Sequence, residues 1–110
     1  DGAHILKPET VELMIRNHLD GDMGNMGAVD FGGLDWTGIG FGLGFSVVVD
    51  AAQVGHGNHG IFGWSGAAST YFWIDPLEDM VVVFLTQLMP SSALPLRQDL
   101  RRMVYDAIAS

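Results

Sequence analysis

Gly60-Ile61-Phe62-Gly63-Trp64-Ser65-Gly66-Ala67-Ala68-Ser69-Thr70-Tyr71-Phe72-Trp73-Ile74-Asp75-Pro76 is the stretch whose reading decides the fold. Its small residues, Ser65 to Thr70, leave backbone N–H groups open to close approach, and an enzyme can aim such donors at a developing oxyanion. An apolar strand follows directly. The β-branched and aromatic runs at residues 69–74 and 80–87 predict two strands, and the short link Asp75-Pro76-Leu77-Glu78-Asp79 makes them antiparallel neighbours. Val81 to Leu85 are apolar without a gap, which predicts a strand covered on both faces. A helix over residues 96–108 covers one of them, through a stripe of Leu96, Leu100, Met103, Val104 and Ala107. Its three arginines are assigned to the opposite side. The remaining sheet is more than 110 residues can bury alone.

Upstream, residues 8–19 read as a helix. Pro8 suits its first turn, Glu9 and Glu12 sit near its positive end, and Val11, Met14, Ile15, His18 and Leu19 share one face. His18 reads as a packed histidine at the helix end; His4 has no readable context. Residues 20–37 hold five glycines and four aspartates without periodicity and read as a loop, of a length that tends to be functional or to wrap a neighbour. Asp20, Asp22, Asn25 and Asp30 miss the spacing of a calcium loop, so a solvated loop is the reading. Residues 38–50 alternate glycine with Ile39, Phe41, Leu43 and Phe45 and read as one strand. Its bare glycine face admits a helix, a ligand or simply close packing.

Thirteen acidic against five basic residues give a net charge of −8 at pH 7. A nucleic acid or an anionic membrane surface needs the opposite sign, so neither is expected as a partner. No apolar run approaches the ~18–20 residues of a membrane span. Without cysteine there is no disulfide, thiol nucleophile or thiolate metal site, and nothing firm follows about compartment. The 48% hydrophobic content is ample for a core.

Three strings invite a chemical reading. Gly55-His56-Gly57-Asn58-His59-Gly60 spells G-x-G-x-x-G, but a dinucleotide site needs a helix next and the following residues read as strand, so the match is accidental. His56 and His59 lack a third ligand at a recognisable spacing and read as a polar turn. Gly63-Trp64-Ser65-Gly66-Ala67 falls one residue short of the esterase elbow G-x-S-x-G, no helix follows it, and His59 is the last histidine. Ser65 is therefore not assigned as a nucleophile.

Trp64-Ser65-Gly66-Ala67, then Tyr71-Phe72-Trp73-Ile74-Asp75-Pro76 and Val81-Val82-Val83-Phe84-Leu85-Thr86-Gln87, resemble the C-terminal part of the serine β-lactamase-like superfamily. The class C-type branch, with penicillin-binding-protein-like esterases (family VIII carboxylesterases), is the nearest likeness. Gly42-Leu43-Gly44-Phe45 is similar to the strand segment before the third motif there. The resemblance covers nearly the whole chain, most strongly residues 38–108. It implies an α+β fold, an antiparallel sheet flanked by helices, as the C-terminal part of a β-lactamase/DD-peptidase-like α/β/α sandwich. By match, Trp64, Ser65 and Gly66 are the third motif and line the substrate cleft, and the Ala67 N–H forms half of the oxyanion hole.

Two of the family's elements are missing. No Ser-x-x-Lys is present, since the sole lysine is Lys7, and no Tyr-x-Asn is present. Trp64 also replaces a lysine that would meet a β-lactam carboxylate, a role an indole cannot fill. Residues 1–110 are thus expected to be a single partial domain, the C-terminal segment of a serine hydrolase acting on a small ester or amide. The expected partner is the upstream part of the same enzyme or a swapped copy of this chain. No metal or cofactor is expected. Two other readings stand beside it: a catalytically inactive fragment acting as a binding or swapped module, and a free-standing β domain of merely similar architecture.

Overall fold

In the computed structural model, which describes residues 2–27 and 34–110, the sheet is a plain meander. Its strands are β1 (Ile39–Phe41), β2 (Ser46–Val48), β3 (Phe62–Ser65), β4 (Tyr71–Asp75) and β5 (Met80–Phe84). Each pairs antiparallel with the next, in the order β1-β2-β3-β4-β5. The helices among the described residues are α1 (Pro8–Met14), α2 (Ala51–Val54) and α3 (Leu96–Ala109). The expected α+β class, an antiparallel sheet with helices, is the one observed. No helix is long and apolar enough to cross a membrane among the described residues.

The register puts Trp73 opposite both Gly63 and Val82. Alternation along β4 then sends Tyr71, Trp73 and Asp75 to one face and Phe72 and Ile74 to the other. On the first face Val48, Ile61 and Trp73 form the core, with Ala51 and Val54 of α2 and Leu100, Val104 and Tyr105 of α3 packed on it. On the second, Phe45 meets Phe62 and Phe72 edge-on, at 5.2 and 6.5 Å. There Val81 and Val83 stay 63% and 62% exposed, so β5 is covered on one face rather than two. Its outer edge carries no strand among the described residues.

Several elements differ from the sequence expectation. Residues 38–50 are a hairpin, β1 turning into β2, because Gly44 reverses the chain at φ 103° and Gly42 N–H bonds the Phe45 carbonyl. The first helix stops at Met14 instead of Leu19. Leu43 N–H takes the Met14 carbonyl, and the His18 ring bonds the Leu13 carbonyl at 2.6 Å. His18 is therefore an exposed cap and not a packed side chain. The glycine face of β1 is closely packed: a Cβ on Gly40 would strike Asn17, and one on Gly42 would strike the Met14 carbonyl. Strand β5 ends at Phe84, three residues short of Gln87. The small helix α2 was not foreseen, although Asp50 caps it by accepting from Ala52 and Gln53 N–H and the Gln53 side chain reaches back to Asp50.

The orientation of α3 is also rotated. Arg97, Leu100, Arg101, Val104 and Tyr105 face the sheet, and Met103 is 60% exposed. Only Arg102, paired with Asp99 and Asp106, looks outward as the apolar stripe implied. Guanidinium heads that find carbonyl and hydroxyl acceptors can bury their aliphatic stems, which periodicity alone does not reveal.

Asp22 departs from a solvated loop as well. It is buried, and its two oxygens accept from Asn25 N–H at 2.7 Å and Gly38 N–H at 2.8 Å. Asp30 lies outside the described residues. Those amides, Gly38 first, hold the Asp22 carboxyl below the ordinary carboxylate range. Because folding lowers this pKa, the linked stability is present above the unfolded value of about 3.9 and is lost as pH falls through the folded value. Thermal melts of Asp22→Ala beside the parent check this: the gap in midpoint is expected to be widest near neutrality and to close as pH drops below about 4.

Candidate active site

Trp64 and Ser65 close β3, opposite Phe72 and Tyr71 of β4. The Trp64 ring stacks on Trp36 at 5.8 Å and meets Phe41 edge-on at 5.5 Å. An aromatic wall drawn from three separate segments therefore stands at this end of the sheet. Flat rings in this arrangement hold one another in place and present an apolar surface to a neighbour.

Residues 66–70 form the tight turn into β4. Gly66 N–H bonds the Thr70 carbonyl at 3.0 Å, and Ser69 N–H bonds the Gly66 carbonyl at 3.2 Å. Ser69 sits at φ 67°, a strained setting for a residue with a side chain, and is held there by its buried hydroxyl, which donates to the Leu88 carbonyl at 2.6 Å. Leu88 N–H returns a bond to the Ala68 carbonyl at 3.1 Å. From α3, Arg97 Nη2 donates to the Gly66 carbonyl at 2.8 Å. The turn is thus clamped from two directions. Ala67 stands exposed at its tip, and its N–H makes no hydrogen bond among the described residues.

The structure therefore brings Trp64, Ser65, Gly66 and Ala67 together at the mouth of one hairpin. No basic side chain reaches the Ser65 hydroxyl among the described residues, so it has nothing to activate it. His56 and His59 belong to the turn after α2. The His56 carbonyl accepts from Arg101 Nε at 3.1 Å, and His59 Nδ1 bonds the Val49 carbonyl at 3.0 Å.

Behind Ser65, a cleft of about 190 Å³ separates the sheet from the start of α3. Trp36, Ile39, Trp73, Arg97 and Arg101 are among its walls. Arg101 is 9% exposed, donates to the Tyr71 hydroxyl at 3.1 Å, and lies 5.8 Å over the Trp73 ring. Burial makes the Arg97 guanidinium a weaker base than usual. Burial first, and then the bond to Asp75, push the Tyr105 hydroxyl far up. Sequence reasoning missed both arginines; their spacing of four, interleaved with Leu100, Val104 and Tyr105, was the available signal.

Residues 4–105 match the family model described as Beta-lactamase. The chain belongs to the beta-lactamase family. It is 37% identical over 94 residues to protein Rv1367c of Mycobacterium tuberculosis strain H37Rv, covering 82% of this chain and 23% of that protein. Among solved structures it resembles EstCE1, described as a hydrolase with promiscuous acyltransferase activity. That likeness has a TM-score of 0.70 and 27% identity, over 98% of this chain and 26% of EstCE1. A LovD6 mutant of simvastatin synthase from Aspergillus terreus gives a TM-score of 0.70 at 26% identity, over 94% of this chain and 28% of that one. The chain thus spans about a quarter of the length of these relatives. Family membership replaces the reading of a β domain similar in architecture alone.

Gly63, between Phe62 and Trp64, lets β3 and β4 meet. A Cβ there would strike the Phe72 carbonyl and lie 2.8 Å from Trp73 Cα, backbone atoms that have no rotamer to yield. Gly63→Ala is expected to destabilise the protein by about 1–3 kcal/mol, read as a lower urea midpoint with unchanged slope.

Proposed function

We propose that this chain is the part of a serine acyl hydrolase or acyltransferase, of the class C-type and family VIII carboxylesterase-like branch, that carries the third motif. In this reading Trp64, Ser65 and Gly66 line the acyl cleft and the Ala67 N–H is one of two oxyanion donors. The observation that carries it is the exposed Ala67 N–H, without an acceptor among the described residues, at the tip of a turn clamped by Arg97 and Ser69. A donor held rigid and left without a partner costs nothing to reorganise when a tetrahedral anion forms. EstCE1, described as a hydrolase with promiscuous acyltransferase activity, supports the same reaction class.

The nucleophile and its base come from another part of the assembled enzyme, because this chain brings no activated hydroxyl to the turn. As the nucleophile attacks the substrate carbonyl carbon, its proton passes to the base, the carbonyl π pair moves to oxygen, and the Ala67 N–H meets that charge. The pair then returns as the bond to the alcohol or amine breaks, and the base gives the leaving group its proton. Trp64 and Trp36 offer an apolar wall to the acyl or alcohol group, in a cleft that Arg97 and Arg101 also line. A second reading, an inactive or domain-swapped module, is favoured by one observation. Val81, Val83 and Leu85 form an exposed apolar row beside the open edge of β5, the kind of surface that recruits another chain.

Fluorophosphonate labelling tests the assignment. In the assembled enzyme Ser65→Ala is expected to keep the covalent adduct, whereas loss of labelling would make Ser65 the nucleophile. Trp64→Ala is expected to shift the preference between p-nitrophenyl acetate and octanoate by about 1–3 kcal/mol, read from the ratio of kcat/KM values. For the 110-residue chain itself, size-exclusion with light scattering is expected to show an oligomer or a bound companion segment, without esterase activity. A well-behaved 11.9 kDa monomer that hydrolyses these esters would contradict both readings.

A further inference from the structure

The Gly66 carbonyl and the Ala67 N–H are the two ends of one peptide group. A trans peptide is planar, so its C=O and N–H point in opposite directions, and whatever fixes one end aims the other. We infer that Arg97 is a positioning residue for the oxyanion hole, acting through the Gly66–Ala67 peptide: its guanidinium orients and polarises the carbonyl so that the Ala67 N–H is a fixed and strengthened donor. The inference rests on the reading of Ala67 as an oxyanion donor.

Four observations converge on it. Arg97 Nη2 lies 2.8 Å from the Gly66 carbonyl, a bond with a charged donor and therefore roughly twice as strong as a neutral one. Among the described residues no carboxylate pairs with Arg97, although the chain carries thirteen acidic side chains, so its charge is not cancelled on the spot. The guanidinium is partly desolvated, lies 6.0 Å over the Tyr71 ring, and has a buried Nε without a partner among the described residues. Hydrogen bonds in series strengthen one another. Finally, Ser69 N–H is a second donor to the same carbonyl, while the Ala67 N–H has no acceptor among the described residues. The peptide is loaded with donors at its oxygen and open at its nitrogen.

The bond also ties α3 to the β3–β4 turn, so a purely structural role must be separated from the electronic one. Arg97→Met keeps an unbranched aliphatic side chain and removes the charge; Arg97→Lys restores the charge as a compact ammonium without the planar fork. In the assembled enzyme, Arg97→Met is expected to lower kcat for p-nitrophenyl butyrate about ten-fold, less than the 10²–10³ lost with a whole oxyanion donor. KM is expected to stay within about two-fold, and Arg97→Lys to recover part of kcat. In the 110-residue chain, NMR is expected to show the Gly66 carbonyl carbon and the Ala67 amide moving in Arg97→Met and returning toward the parent in Arg97→Lys.

Each outcome decides something. Unchanged kcat in Arg97→Met, or a loss in KM alone, overturns the inference. So do Gly66 and Ala67 signals that do not move while those of α3 do. An Arg97→Lys variant no better than Arg97→Met in both readouts overturns it too. A parent enzyme that neither takes a fluorophosphonate label nor turns over ester overturns the oxyanion reading instead. The NMR response then separates the two failures, since the Arg97–peptide coupling is read there without activity.

Discussion

The carboxylate of Asp75 is the point on which the described structure depends. It has no exposed surface, and a buried charge persists only where donors replace water. Leu77 and Glu78 N–H bond Oδ1 and shape the turn between β4 and β5. Asn58 Nδ2 and the Tyr105 hydroxyl bond Oδ2 at 2.8 and 2.7 Å. The same hydroxyl accepts from Trp73 Nε1 at 3.1 Å. One side chain thus joins the β4–β5 turn, the segment after α2, the core tryptophan and the end of α3. Removing one member leaves the others as buried unpaired groups, each costing about 1–3 kcal/mol.

That anchoring explains how a short helix comes to serve the other end of the sheet. With Tyr105 held at Asp75, the helical repeat carries Arg101 to Tyr71 and Arg97 to the turn after β3. The spacing of 97, 101 and 105 along one side of α3 makes a row that runs the length of β4. The core at one end of β4 and the β3–β4 turn at the other are therefore tied to one element.

Much of this was legible in the residues. The β4–β5 hairpin was readable because β-branched and aromatic runs flank a turn, whereas Trp64-Ser65-Gly66-Ala67 was singled out by its resemblance to the third motif of the β-lactamase-like superfamily. The hairpin hidden in residues 38–50 was not. Period-two alternation of glycine looks the same in a strand and in a chain that folds back, and only the positive φ of Gly44 separates them. The inward turn of Arg97 and Arg101 escaped for a related reason. Hydropathy assigns arginine to solvent, whereas its stem packs readily once carbonyl and hydroxyl acceptors stand at the right distance. Asp22 went astray likewise, since its acceptor role needs Gly38, sixteen residues away, brought alongside.

By itself the sequence determined the antiparallel pairing of the last two strands, and its resemblance to the β-lactamase-like superfamily implied the α+β fold class. The pairing follows from local periodicity and turn chemistry that act over a few residues. Tertiary structure alone decided which side of α3 faces the sheet, what fills the glycine face of β1, and that the peptide between Gly66 and Ala67 is held by a guanidinium. Those outcomes depend on donors and acceptors far apart in the chain. Their pairing is set by the requirement that each buried polar group find a partner, a condition that no local pattern encodes.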